Sequence, residues 1–100
     1  MQIKSKTLSF PPSDSPDVIG YKLYYEEAPN APGYDSPVVD LGNVTTVDLA
    51  TLAGFTTMDG TYNLGVTAVD DAGNESSMSI LNGVALDFEA PNPPGPLSVV

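Results

Sequence analysis

The sequence predicts an all-β fold, a two-sheet antiparallel β-sandwich. Ten prolines and nine glycines are spread through the 100 residues, so no window of about twelve residues keeps the 3.6-residue apolar period of a helix. Apolar residues instead alternate with polar ones in short segments, as in half-buried strands. Turn-forming clusters separate these segments by roughly 8 to 14 residues, a spacing typical of a sandwich. A small barrel is the alternative that the pattern leaves open.

The composition indicates one domain that does no chemistry. A chain of 100 residues with 41% hydrophobic content has material for one core. The absence of cysteine excludes disulfides, thiolate metal sites and thiol nucleophiles. The chain also has no histidine, and its basic residues are Lys4, Lys6 and Lys22. Solvated carboxylates without a histidine or arginine neighbour keep ordinary pKa values, so we expect no enzyme activity and no cofactor.

The charge balance limits the choice of partners. Three lysines and thirteen carboxylates give a net charge of −10, which repels nucleic-acid phosphates and anionic membrane surfaces. We therefore expect neither nucleic acid nor a membrane as a partner. No apolar run approaches the ~20 residues that span a bilayer, and the opening MQIKSK lacks the apolar stretch of a signal peptide.

Six segments have the alternation of strands. They are residues 6–10, 21–25, 37–41, 45–49, 62–69 and 77–88. In the last, Ile80 is expected to face inward with Val84, whereas Gly83 and the out-of-phase Leu81 predict a bulge.

The segment TYNLGVTAVDDAGNES, residues 61–76, resembles strand F of a fibronectin type III domain of the bacterial type. In that family a tyrosine opens the strand and its hydroxyl ties back to the preceding corner, a position that Tyr62 takes here. Phe10 in LSFPPS resembles the tryptophan of strand B, and GYKLYY, residues 20–25, resembles strand C. The resemblance covers residues 6–88 and implies strands B to G.

The chain departs from this family in the loop before Tyr62. The family has a leucine closer to the corner tyrosine than Leu52 is to Tyr62. The segment AGFTTMDG, residues 53–60, therefore predicts an enlarged loop in which Phe55 or Met58 takes the place of that leucine.

A second departure concerns strand A, which is missing before residue 6. EAPNPPGPLSVV, residues 89–100, resembles the linker and first strand of a following module. We therefore divide the chain into a sandwich, residues 1–88, and a Pro-rich linker with a strand A-like segment, residues 89–100. Either the tail is frayed in a tandem array, or residues 97–100 cover the strand B edge, within the chain or as an edge-strand dimer.

The resemblance implies a non-catalytic module that spaces or presents neighbouring domains of a larger, extracytoplasmic protein. An alternative is a polysaccharide- or protein-binding module. Tyr24 is expected to point away from the core, and Tyr34 and Phe55 lie in loops, where aromatic rings can stack on a ligand.

A further alternative is stabilisation by calcium through Asp70 and Asp71. Their segment DDAGNE, residues 70–75, lacks the ligand spacing of an EF-hand, and Gly73 suits a turn with positive φ, so a plain turn is favoured. The residues expected to be structural are Phe10, Tyr21, Leu23, Leu52, Tyr62, Leu64, Val66, Ala68 and Gly73.

Overall fold

The structure is a computed structural model that describes residues 6–52, 55, 59–88 and 91–99. Each of the six predicted segments forms a strand. The elements are β1 (Thr7–Ser9), β2 (Val18–Glu27), β3 (Val38–Gly42), β4 (Thr46–Asp48), a 3₁₀ turn (Leu49–Thr51), β5 (Asp59–Asp70) and β6 (Ser79–Asp87).

The strands form two antiparallel sheets, which confirms the predicted all-β class. β1 pairs with β4, with Leu8 opposite Val47. The larger sheet has the order β3-β2-β5-β6. The chain changes sheets between β3 and β4, because β4 pairs with β1 and not with the strand that precedes it. Consecutive strands of the chain therefore belong to different sheets.

The core lies between the sheets. Leu23 of β2, Leu64 of β5 and Leu86 of β6 are buried in it, and Leu8 of β1 and Val47 of β4 pack against it from the smaller sheet. Inward side chains of both sheets therefore share one core, as in a sandwich.

Most residues predicted to be structural contribute to this packing. Phe10 meets Tyr21 edge to face, with ring centroids 5.0 Å apart. Leu52, Tyr62 and Val66 are partly buried against the core. The Tyr62 hydroxyl makes no hydrogen bond to another described residue, and the corner segments 53–54 and 56–58 lie outside the described residues. The tyrosine corner therefore stays a prediction.

The sequence suggested that Phe55 is an exposed loop residue, but the structure places it in the core. Its side chain is 0% exposed, and its ring meets Tyr25 edge to face at 4.7 Å. The Asp48 carboxylate accepts from the Ala50 N–H at 3.0 Å to cap the 3₁₀ turn, and the Phe55 N–H donates to the Leu52 carbonyl at 3.1 Å. The Phe55 ring is therefore not accessible to a ligand. Met58, the other candidate for the place of the family's leucine, lies outside the described residues.

The outer face of the larger sheet also carries a buried layer. Tyr24, expected to be exposed, is 3% exposed, and Asn63 and Thr67 are buried beside it. A Cβ added to Gly65 would lie 2.3 Å from Met78 Sδ and 3.3 Å from Pro32 Cγ, so these two side chains sit directly on the strand. The prediction for Tyr24 was wrong because the loop after β2 and the segment before β6 cover this face.

Asn63 joins that covering loop to a bulge in β6. Its Nδ2 donates to the Asn30 carbonyl at 2.8 Å, and its Oδ1 accepts from the Gly83 N–H at 2.9 Å. Tyr62 lies opposite Val84 but Leu64 lies opposite Leu81, so β6 has one extra residue there. Gly83 has φ of 72° at this point, which confirms the predicted bulge.

Asn63→Ala is expected to lower the free energy of unfolding by about 2 kcal/mol, because it removes both hydrogen bonds of this buried side chain, to the Asn30 carbonyl and the Gly83 N–H. Urea denaturation measures the change. Asn43→Ala, at an exposed turn position, is the matched control and should have little effect. Equal stabilities of the two variants would contradict a structural role for Asn63.

The C-terminal segment is extended. Residues 91–99 form no strand and are exposed throughout. Leu97 and Val99 are 91% and 100% exposed, so the described part of the tail does not fold back onto β1 of its own chain.

Candidate functional site

An open apolar groove runs between β1 and the β5–β6 side of the larger sheet. Its volume is about 530 Å³. Its apolar lining comes from all three strands and from the residue after β1: Leu8, Phe10, Leu64, Val66, Ile80 and Leu81. Serines line it as well, and none of the described residues around it is charged. The groove can therefore accept an apolar group or strand.

The groove exists because β1 has a free edge. The Phe10 N–H donates to the Thr45 carbonyl at 3.0 Å, and the Leu49 N–H donates to the Lys6 carbonyl at 2.8 Å. Peptide groups alternate in direction along a strand, so those of Thr7 and Ser9 point away from β4. Among the described strands, none pairs with this edge.

An exposed apolar residue of β6 continues the groove. Leu81 is exposed and lies opposite the core residue Leu64, so its side chain is on the inner face. Ile80 is also exposed, but it lies opposite Gly65 on the outer face. The prediction that Ile80 faces the core was wrong because the extra residue at the bulge reverses the alternation.

Tyr34 is exposed, as predicted, and is held in place. Its side chain is 57% exposed, and its hydroxyl donates to the Ser76 carbonyl at 2.8 Å. Its ring meets Tyr24 edge to face at 5.9 Å. The exposed ring is therefore fixed in one orientation.

A glutamate lies behind this aromatic pair. The Glu75 carboxylate accepts from the Thr67 hydroxyl at 2.6 Å and from the Tyr24 hydroxyl, and Lys22 Nζ lies 3.7 Å from its other oxygen. Three strand residues thus hold the segment after the turn onto the sheet.

These contacts shift two pKa values. Burial acts to raise the pKa of Glu75, but the donors Thr67 and Tyr24 and the charge of Lys22 outweigh it, so the pKa is lower than usual. Burial, followed by the bond to Glu75, raises the pKa of Tyr24 to about 12. At neutral pH the carboxylate is ionised and the phenol keeps the proton that it donates.

Asp70 organises the turn after β5. Its Oδ1 accepts from the N–H groups of Ala72 at 3.0 Å and Asn74 at 2.8 Å, and the Asn74 bonds are the main cause that lowers its pKa. Gly73 has φ of 86°, as the turn prediction requires. Asp71 is exposed. Within the described ranges, no group of three or more acidic, histidine or cysteine residues is placed to hold a metal ion.

The sequence did not single out Glu75, Thr67 or Lys22 as a cluster. Thr67 and Lys22 are opposite each other on β5 and β2, and alternation puts both on the face away from the core. This alternation could have predicted that the side chains of Thr67 and Lys22 lie together. It could not have shown that Glu75 folds over them, because this depends on the turn at Asp70.

Comparisons with known proteins found no match among protein-family models, curated proteins or solved structures. In the part of the chain that the structure describes, no helix has the length and apolar character needed to cross a membrane.

Glu75→Gln tests the half-buried carboxylate through the pH dependence of stability. The folded-state pKa of Glu75 lies below its ordinary value of 4.5, so its stabilising effect is complete above that pH and is lost as the pH falls through the folded-state pKa. The native chain should therefore lose more stability than the variant on acidification. At neutral pH the variant should be less stable by about 1 kcal/mol, a value reduced because Lys22 is solvated.

Denaturant unfolding at a series of pH values measures this difference. Glu27→Gln, at an exposed position of β2, is the control and should follow the native pH profile. Parallel curves for native and Glu75→Gln chains would contradict the role of Glu75.

Proposed function

We propose that this chain is a fibronectin type III-like, non-catalytic module that spaces or presents neighbouring domains of a larger extracytoplasmic protein. The strand order carries the proposal. The sheets β1-β4 and β3-β2-β5-β6 have the order expected for strands B–E and C′–C–F–G of that family, and none of the described strands takes the place of strand A. This is the arrangement that the resemblance over residues 6–88 implies.

The use of polar side chains supports a positional role. Among the described residues, every buried side-chain nitrogen and oxygen has a hydrogen-bond partner. Asn63 fixes the loop after β2, Asp70 fixes the turn after β5, and Glu75 fixes the segment that follows it. Such bonds hold loops against the sheet, and a spacer that keeps a constant shape needs them.

Replacement within the parent protein tests a positional role. Exchange of residues 6–88 for an unrelated sandwich of similar length is expected to preserve the activity of the flanking domains. Deletion of the same residues should impair that activity because it changes the separation of the domains. Loss of activity on exchange, with both flanking domains folded, would contradict the proposal.

A second candidate is glycan binding at Tyr34, which the fixed and exposed ring favours. An aromatic ring that loses little freedom on binding is suited to stack on a sugar. Tyr24 and Phe55 are buried and do not belong to this site.

Tyr34→Ala should weaken any glycan binding by about tenfold or more, equivalent to about 1.4 kcal/mol, as measured by titration of glycans selected on an array. Val38→Ala, at another exposed position, is the control. Equal binding by both variants, or no binding by the native chain, would rule out this site.

A further inference from the structure

We propose that the groove binds residues 97–99 of a second copy of this chain, which add as a strand to the free edge of β1. This goes beyond the spacing role and does not depend on it. The groove has no described strand beside the β1 edge. The tail is an exposed apolar segment that could supply one.

The edge of β1 supplies the hydrogen bonds. Thr7 and Ser9 direct their peptide groups away from β4, as the Phe10–Thr45 and Leu49–Lys6 bonds establish. An extended segment laid along this edge would pair with those groups and extend the two-stranded sheet. Unpaired strand edges are common sites of such addition.

The groove supplies the apolar contacts. Leu8 and Phe10 line it from the β1 side, and Leu81 lines it from β6. Leu81 is exposed in the isolated chain. A strand on the β1 edge would place every second side chain over these residues and remove them from water.

The tail has the matching pattern. Leu97 and Val99 are separated by Ser98, so in an extended segment both apolar side chains lie on one face and the serine lies on the other. Both apolar residues are almost fully exposed in the isolated chain. Leu97 and Val99 can thus enter the groove while Ser98 faces solvent.

The charges permit the contact. The chain has a net charge of −10, which opposes association between copies. None of the described residues that line the groove is charged, and residues 91–99, PNPPGPLSV, carry no charged side chain. The repulsion therefore acts at a distance, where salt screens it, and association should strengthen as salt is added.

The linker favours a second copy over the same chain. Residues 91–96, PNPPGP, contain four prolines, and Pro-rich segments are extended and semi-rigid. Such a segment resists the reversal that would return the tail to its own β1. Because the tail of one copy fills the groove of the next, the contact is heterologous and leaves a groove and a tail free at the ends.

Complementation between two variants tests this arrangement. The tail variant carries Leu97→Asp and Val99→Asp, and the groove variant carries Leu81→Asp. Sedimentation velocity from micromolar to submillimolar concentration is expected to show growth of the native chain beyond a dimer, and each variant alone should be a monomer. An equimolar mixture should form a heterodimer and stop there, because only one intact tail and one intact groove remain.

Controls keep the outcomes distinct. Ser98→Ala should associate like the native chain, and circular dichroism checks that each variant is folded, with Leu81→Ser in reserve if Leu81→Asp is not. A monomeric native chain at all concentrations would overturn the proposal. So would association that survives the tail variant, or a fall in the Tm of a monomer on Leu97→Asp and Val99→Asp, which would mean that the tail folds onto its own chain.

Discussion

The two-stranded sheet β1–β4 covers only part of the inner face of the four-stranded sheet, and much of the structure follows from this mismatch. On one side, Leu49 of the 3₁₀ turn and Phe55 fill the core beside β4. On the other side the described residues provide no comparable cover, and the groove next to β1 is the result. The open groove is therefore a consequence of the missing cover beside β1.

The outer face of the larger sheet is covered in a different way. Here polar bonds fasten the cover, since Glu75 accepts from Thr67 and Asn63 holds the Asn30 carbonyl. Buried polar groups are costly unless paired, so these contacts specify where the covering segments lie. They also leave Tyr34 as the exposed aromatic ring above Tyr24.

Local alternation was sufficient to predict all six strands and the bulge near Gly83, and the spacing of the turns predicted two sheets. Alternation could not predict what covers a strand. Tyr24 was assigned to solvent because it points away from the core, and Phe55 because it lies in a loop. Tyr24 is buried by segments that are distant in sequence. Phe55 is buried because a turn directs it into the core. Ile80 was assigned to the core from strict alternation with Val84, but the extra residue at the bulge places it on the outer face, opposite Gly65. For the site, the sequence indicated a missing strand A and a strand-like tail. The groove lining and the direction of the β1 edge required the pairing register of β1 with β4.

Amide hydrogen exchange along β1 tests the open edge most directly. In a dilute, monomeric sample, the Thr7 and Ser9 amides should exchange rapidly, whereas the Phe10 amide, bonded to the Thr45 carbonyl, should be protected. Protection of Thr7 and Ser9 equal to that of Phe10 in the monomer would mean that another strand already occupies the edge, and would contradict the open groove.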